Sequence, residues 1–95
     1  MIQTIRHRGL KRFYETGNAR ELTANHVPRI RRILTLLDAA TCPEDIEAAQ
    51  MPGMRLHQLT GNRRGEWSMA VSGNWRITFK FSGEHVTDVD LEDYH

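Results

Sequence analysis

The chain predicts a small α+β domain in which two N-terminal helices pack on one face of a mostly antiparallel β-sheet. Three observations carry this reading. Apolar residues recur at helical spacing in the first forty residues, the period changes to two from Met54 onward, and Gly-containing breaks divide the second half at hairpin spacing. Ninety-five residues suffice for one modest core, so residues 1–95 are read as a single domain.

Met1 to Ile5 suits a short opening strand. Leu10, Phe13 and Tyr14 then share one helical face, and Gly17 supplies the stop. The next helix is better marked: Asn25 offers an N-cap, Pro28 falls in the first turn, and Val27, Ile30, Ile33, Leu34 and Leu37 form an apolar stripe. Arg29, Arg31 and Arg32 occupy its other side. Thr41 to Asp45 starts a further short helical turn, which Gln50 to Gly53 ends. Strands follow over Met54–Leu59, Glu66–Val71, Trp75–Phe81 and His85–Leu91. Ser72-Gly73-Asn74 and Ser82-Gly83 are hairpin connections, and Thr60 to Gly65 is a longer basic loop. In the third of these strands Trp75, Ile77, Phe79 and Phe81 alternate with Arg76, Thr78 and Lys80. The helices are expected on the Trp75 side, leaving Arg76 and Lys80 on an open, basic face. The same phase argues for burial of Trp67 and Trp75 over stacking on bases.

A net charge of +1 conceals segregation. Residues 1–32 carry eight Lys or Arg against two carboxylates, whereas residues 81–95 carry five carboxylates and no Lys or Arg. Eleven of the thirteen cations are Arg, whose planar fork suits phosphate and base stacking. A solvated helix face accounts for such a run equally well. The single Cys42 excludes an internal disulfide, no apolar run approaches the roughly 20 residues of a membrane span, and no signal-peptide pattern opens the chain. A cytoplasmic setting is expected.

No P-loop, GxGxxG, CxxC, HExxH or Gly-x-Ser-x-Gly motif is present, and the five histidines lack metal-site spacing, so neither a metal nor a cofactor is expected. What remains is a set of side chains suited to RNA cleavage: His57, Arg76, Asp93, Tyr94 and His95. That chemistry needs a base for the ribose 2′-hydroxyl, a cation for the charge growing on phosphorus, and an acid for the departing 5′-oxygen. Taken singly, each residue also has an ordinary structural reading, as strand alternation at Arg76 or a frayed end at Tyr94-His95.

His7-Arg8-Gly9-Leu10, Leu56-His57-Gln58-Leu59, Gly65-Glu66-Trp67-Ser68, Asn74-Trp75-Arg76-Ile77-Thr78-Phe79 and Glu92-Asp93-Tyr94-His95 together resemble, in order and spacing, the HigB-like toxins of the RelE/ParE superfamily. The resemblance covers essentially the entire chain. It implies a RelE-like fold and the toxin of a type II toxin–antitoxin system, an mRNA endonuclease acting in the ribosomal A site. Carried over by position, His57, Arg76, Asp93, Tyr94 and His95 form the site. His95 or His57 transfers protons, Asp93 transfers or orients, Tyr94 stacks or orients, and Arg76 contacts the phosphate. Arg6, Arg8, Lys11, Arg12, Arg29, Arg31, Arg32, Arg63, Arg64 and Lys80 are the expected contacts to mRNA and the 70S ribosome. The implied partners are a HigA-like helix-turn-helix antitoxin and, through that complex, its own promoter DNA; no membrane is involved. Some relatives have a lysine where this chain has Thr60, which leaves Arg63 or Arg64 as substitutes. Two alternatives share these features: a ParE-like gyrase inhibitor with the same fold, and a non-catalytic RNA-binding regulator using the same basic face.

Overall fold

A computed structural model describes residues 1–93; the expectations for Tyr94 and His95 lie outside the described residues. Helix α1 spans Arg8–Thr16, α2 Val27–Ala39 and α3 Pro43–Ala49. The strands are β1 His57–Gln58, β2 Glu66–Ser72, β3 Trp75–Ser82 and β4 His85–Asp93, in the sheet order β1-β2-β3-β4 with every neighbouring pair antiparallel.

Both expected helices form. Leu10 and Phe13 turn α1 toward the core, and Gly17 ends it at φ 79°, its N–H donating to the Phe13 carbonyl. The start of α1 has a cap that residue preferences did not reveal: His7 Nδ1 accepts from the Leu10 N–H at 3.0 Å. Asn25 does not cap α2. It lies inside a 3-10 turn over Ala24–His26, so the helix begins at Val27 with His26 in the capping position and Pro28 in the first turn. His26 is buried against Trp75, with ring centroids 5.8 Å apart. The helical turn expected after Thr41 extends to a third helix, which buries Ile46 beside α2.

Ile2, Leu10, Phe13, Ile30, Ile33 and Leu37 gather with Met69, Ile77, Phe79, Val86, Val89 and Leu91 into one apolar cluster. Helices therefore cover the Ile77–Phe79 side of the sheet, and Trp67 and Trp75 pack half-buried at its margin. The opening strand is reduced to two parallel bridges, Ile2 to Val86 and Ile5 to Val89, which lay residues 2–5 along β4. Asp38 fastens this segment from α2, its Oδ1 accepting the Ile2 N–H at 3.0 Å and the Tyr14 hydroxyl at 2.7 Å. The strand expected over Met54–Leu59 survives only as His57–Gln58, because Arg55 leaves the extended region at φ 53°. Among the described residues, no helix is long and apolar enough to cross a membrane.

Candidate active site on the open face of the sheet

Strand register decides which side chains meet on the face the helices leave uncovered. His57 pairs with Ser68, Ser68 with Thr78 and Thr78 with Asp90, forming one row across four strands. Ala70, Arg76 and Glu92 form the next row. Because Ala70 is short, space opens between His57 on the edge strand and Arg76 two strands away. The result is a cavity of about 340 Å³ lined by Arg55, Leu56, His57, Ala70, Gly73 and Arg76. Arg76 leans across β2, where its Nη1 donates to Ser68 Oγ at 3.3 Å. On its other side His57 borders a second depression of about 380 Å³, lined with Thr60, Asn62 and Arg63 among others. The His57 ring is exposed, and its Nδ1 lies 3.0 Å from the Arg55 carbonyl oxygen.

Next to this cavity stands a half-buried ionic cluster. Arg63 Nε and Nη2 donate to the two Glu66 oxygens at 3.0 and 2.9 Å, while Nη1 and Nη2 donate to those of Glu92 at 2.9 and 2.6 Å. The Thr78 hydroxyl also donates to Glu92. Hydrogen bonding from Arg63 holds both carboxyls below the usual glutamate range against the opposing effect of burial, and Thr78 adds to the depression at Glu92. Arg63 is held protonated still more firmly than a free guanidinium. The 3-10 turn Gly61–Arg63 is thereby clamped to β2 and to the end of β4.

The structure thus brings together His57 and Arg76 from the expected site. Asp93 is exposed at the end of β4 in register with Trp75, one residue beyond Glu92 and in the opposite strand phase. The expected RNA-contacting cations divide among several environments. Arg63 is bound by two glutamates, as described. Arg6 and Lys80 each lie 3.9 Å from Asp88, and Arg8 and Arg12 lie 3.0 and 3.3 Å from Glu21. Arg31 sits over the Phe13 ring at 5.5 Å, Arg32 Nη1 reaches Met51 Sδ at 2.9 Å, and Arg29 is half-buried. Lys11 and Arg64 are exposed. Among the described residues, no three His, Cys, Asp or Glu side chains are grouped to hold a metal ion. Sequence reasoning did not assign Arg55, Ser68, Thr78 or Glu92 to the site, although the last three stand in the motifs quoted above. Extending the Arg76–Thr78–Lys80 phase to neighbouring strands would have found the last three, but no local pattern marks Arg55.

Three helices on one side of a four-stranded antiparallel sheet, with a histidine–arginine cavity on the other, make a RelE-like α+β architecture. A family model described as RelE-like toxin of type II toxin-antitoxin system HigB matches residues 3–95, nearly the entire chain. The chain is also 39% identical to a protein of Proteus vulgaris named Endoribonuclease HigB, over 95 residues and the full length of both. It belongs to the HigB-like toxins. As the toxin of a type II system, it has an antitoxin as its counterpart.

Proposed function

We propose that this protein is a ribosome-dependent endoribonuclease that cuts mRNA in the A site and so stops translation. The observation that carries the reading is the shared cavity of His57 and Arg76, fixed across three strands on the open face. The name of the Proteus vulgaris relative supports the same activity. In this scheme a histidine, His57 or His95, removes the proton from the ribose 2′-hydroxyl, whose oxygen attacks the adjacent phosphorus. Arg76 stabilises the charge that grows on the phosphoryl oxygens, and a protonated group returns a proton to the departing 5′-oxygen. Asp93 orients or relays that proton, and Tyr94 stacks on a base or orients the phosphate.

Thr60 puts no cation beside His57. Since Arg63 is bound by two glutamates, Arg55, which lines the same cavity as His57, is the better placed substitute. The antitoxin is proposed to be a HigA-like helix-turn-helix protein that binds promoter DNA together with the toxin, and the cytoplasm is the proposed compartment. Primer extension on mRNA incubated with purified protein, with and without programmed 70S ribosomes, tests the activity. Cuts that require ribosomes and vanish in His57→Gln and His95→Gln variants support the reading. If folded protein gives no cuts where a known ribosome-dependent toxin does, the reading fails, and a DNA gyrase supercoiling assay becomes the next measurement.

A further inference from the structure

The backbone around Arg55 contains one residue more than its partner strand. The β1–β2 register matches His57 with Ser68 and Gln58 with Trp67, and the Leu59 N–H continues it by donating to the Glu66 carbonyl at 2.8 Å. Extended in the other direction, that register sets Arg55 opposite Ala70, and the Ala70 N–H would bond the Arg55 carbonyl. Instead it bonds the Met54 carbonyl at 2.6 Å. Arg55 is therefore the extra residue of a bulge on an edge strand, with the positive φ of 53° that such an insertion accommodates. The neighbouring Leu56 N–H is satisfied from outside the sheet by Gln50 Oε1 at 3.0 Å. Displaced from the ladder, the Arg55 carbonyl meets His57 Nδ1 at 3.0 Å.

A carbonyl oxygen can only accept, so this contact is a hydrogen bond only when Nδ1 carries the proton. In the neutral ring, Nε2 is then the nitrogen with the lone pair. Left-handed backbone at a non-glycine residue costs about 1 kcal/mol, so its occurrence two residues before a candidate catalytic histidine, on the rim of the same cavity, calls for a physical reason. We infer that Arg55 is a positioning residue for His57: the bulge removes its carbonyl from the sheet so that it holds the imidazole as the Nδ1–H tautomer, with Nε2 available to the substrate. This rests on the nuclease reading for its purpose but not for its measurement.

The test is long-range ¹H–¹⁵N correlation on uniformly labelled full-length protein, above the titration of the ring, with His57 assigned by comparison with His57→Gln. The wild type is expected to show Nδ1–H as the predominant His57 tautomer, the reverse of free histidine. Arg55→Gly tolerates the left-handed backbone and keeps the carbonyl, so it retains that pattern. Arg55→Val, whose branched side chain resists positive φ, loses it. The exposed position of Arg55 lets both variants fold, which thermal unfolding checks. In the ribosome assay the cleavage rate at saturating substrate falls at least about tenfold more in Arg55→Val than in Arg55→Gly, since a positioned proton-transfer group contributes on the order of 10²–10⁴-fold. A predominant Nε2–H tautomer in the wild type, or an unchanged Nδ1–H pattern in Arg55→Val, overturns the inference even if RNA is cut. The expected tautomer in a wild-type protein that cuts no RNA supports the Arg55 assignment and overturns the nuclease reading instead.

Discussion

Arg63→Gln removes the cation from between Glu66 and Glu92 and leaves two half-buried carboxylates facing each other. The wild-type guanidinium makes four bonds to them at 2.6–3.0 Å, with side-chain exposures of 31% for Arg63, 15% for Glu66 and 26% for Glu92. Fully exposed ion pairs contribute about 0–1 kcal/mol, whereas breaking a buried pair costs about 3–5 kcal/mol. The intermediate burial of this cluster sets the expected loss at about 2 kcal/mol. For a domain of this size, that lowers the unfolding midpoint by roughly 10 °C. The loss also has a definite pH dependence. Both carboxyls titrate lower in the folded chain than in the unfolded one, mainly because Arg63 bonds their ionised forms. Their contribution is therefore complete above the unfolded-state carboxylate range, about pH 4–5, and is lost as pH falls through the folded-state values, while Arg63 stays charged throughout. Urea unfolding across a series from about pH 7 downward should show a wide gap between wild type and variant at the start that narrows as the two carboxyls protonate below the usual glutamate range. Equal stabilities at pH 7, or a gap that persists undiminished at low pH, would refute the cluster as a source of stability.

Three further measurements probe other parts of the molecule. The Tyr14 phenol is pushed up to about 12 by burial and by its bond to Asp38, so it contributes stability below the unfolded value of 10 that is lost as pH rises through about 12. Spectrophotometric titration should show this late phenol, and Tyr14→Phe should lose it together with about 1 kcal/mol of stability. Gly9→Ala places a Cβ 2.7 Å from Glu21 Cβ, so α1 must shift from the segment behind it, lowering stability in chemical denaturation by about 1–3 kcal/mol. Arg64→Gln should leave stability unchanged within about 0.5 kcal/mol and weaken RNA binding across all sequences, with a salt slope smaller by about 1 in a binding titration against KCl.

What the sequence made legible was local order. The stripe from Ile30 to Leu37 and the alternation from Trp75 to Phe81 give the same answer at any point along the segment, so their elements and buried faces could be read directly. Asn25 was misleading because a capping side chain says nothing about whether the helix starts there or after an intervening 3-10 turn. The strand from Met54 failed for another reason: alternation continues through Arg55, and the inserted residue becomes visible only when Ala70 is seen bonding to Met54 instead. Arg63 was the hardest to place. Nothing within its own basic loop distinguishes a cation awaiting phosphate from one paired with Glu92, twenty-nine positions later. Of the expected site, His57 and Arg76 could be placed together from register, whereas Tyr94 and His95 lie outside the described residues.

Register also decides which cations of the open face stand beside carboxylates. On the β4 side of the open face, Arg6 and Lys80 approach Asp88, and Arg63 is enclosed by Glu66 and Glu92. Each carboxylate there lowers the local positive potential. Among the described residues, the cavity toward β1 is lined by Arg55, Leu56, His57, Ala70, Gly73 and Arg76. In the reading proposed above, the phosphodiester uses the Arg55–His57–Arg76 side of the sheet, away from the cations that approach Asp88, Glu66 and Glu92. The same reasoning gives the ionic cluster a role in selectivity: removing Arg63 exposes two negative charges beside the cavity and should weaken RNA binding even though Arg63 itself is occupied by glutamates. A loss of affinity in Arg63→Gln that disappears in the triple variant with Glu66→Gln and Glu92→Gln would identify repulsion, not a missing phosphate contact, as its cause. Equal losses in both variants would restore Arg63 to the list of residues that touch RNA directly.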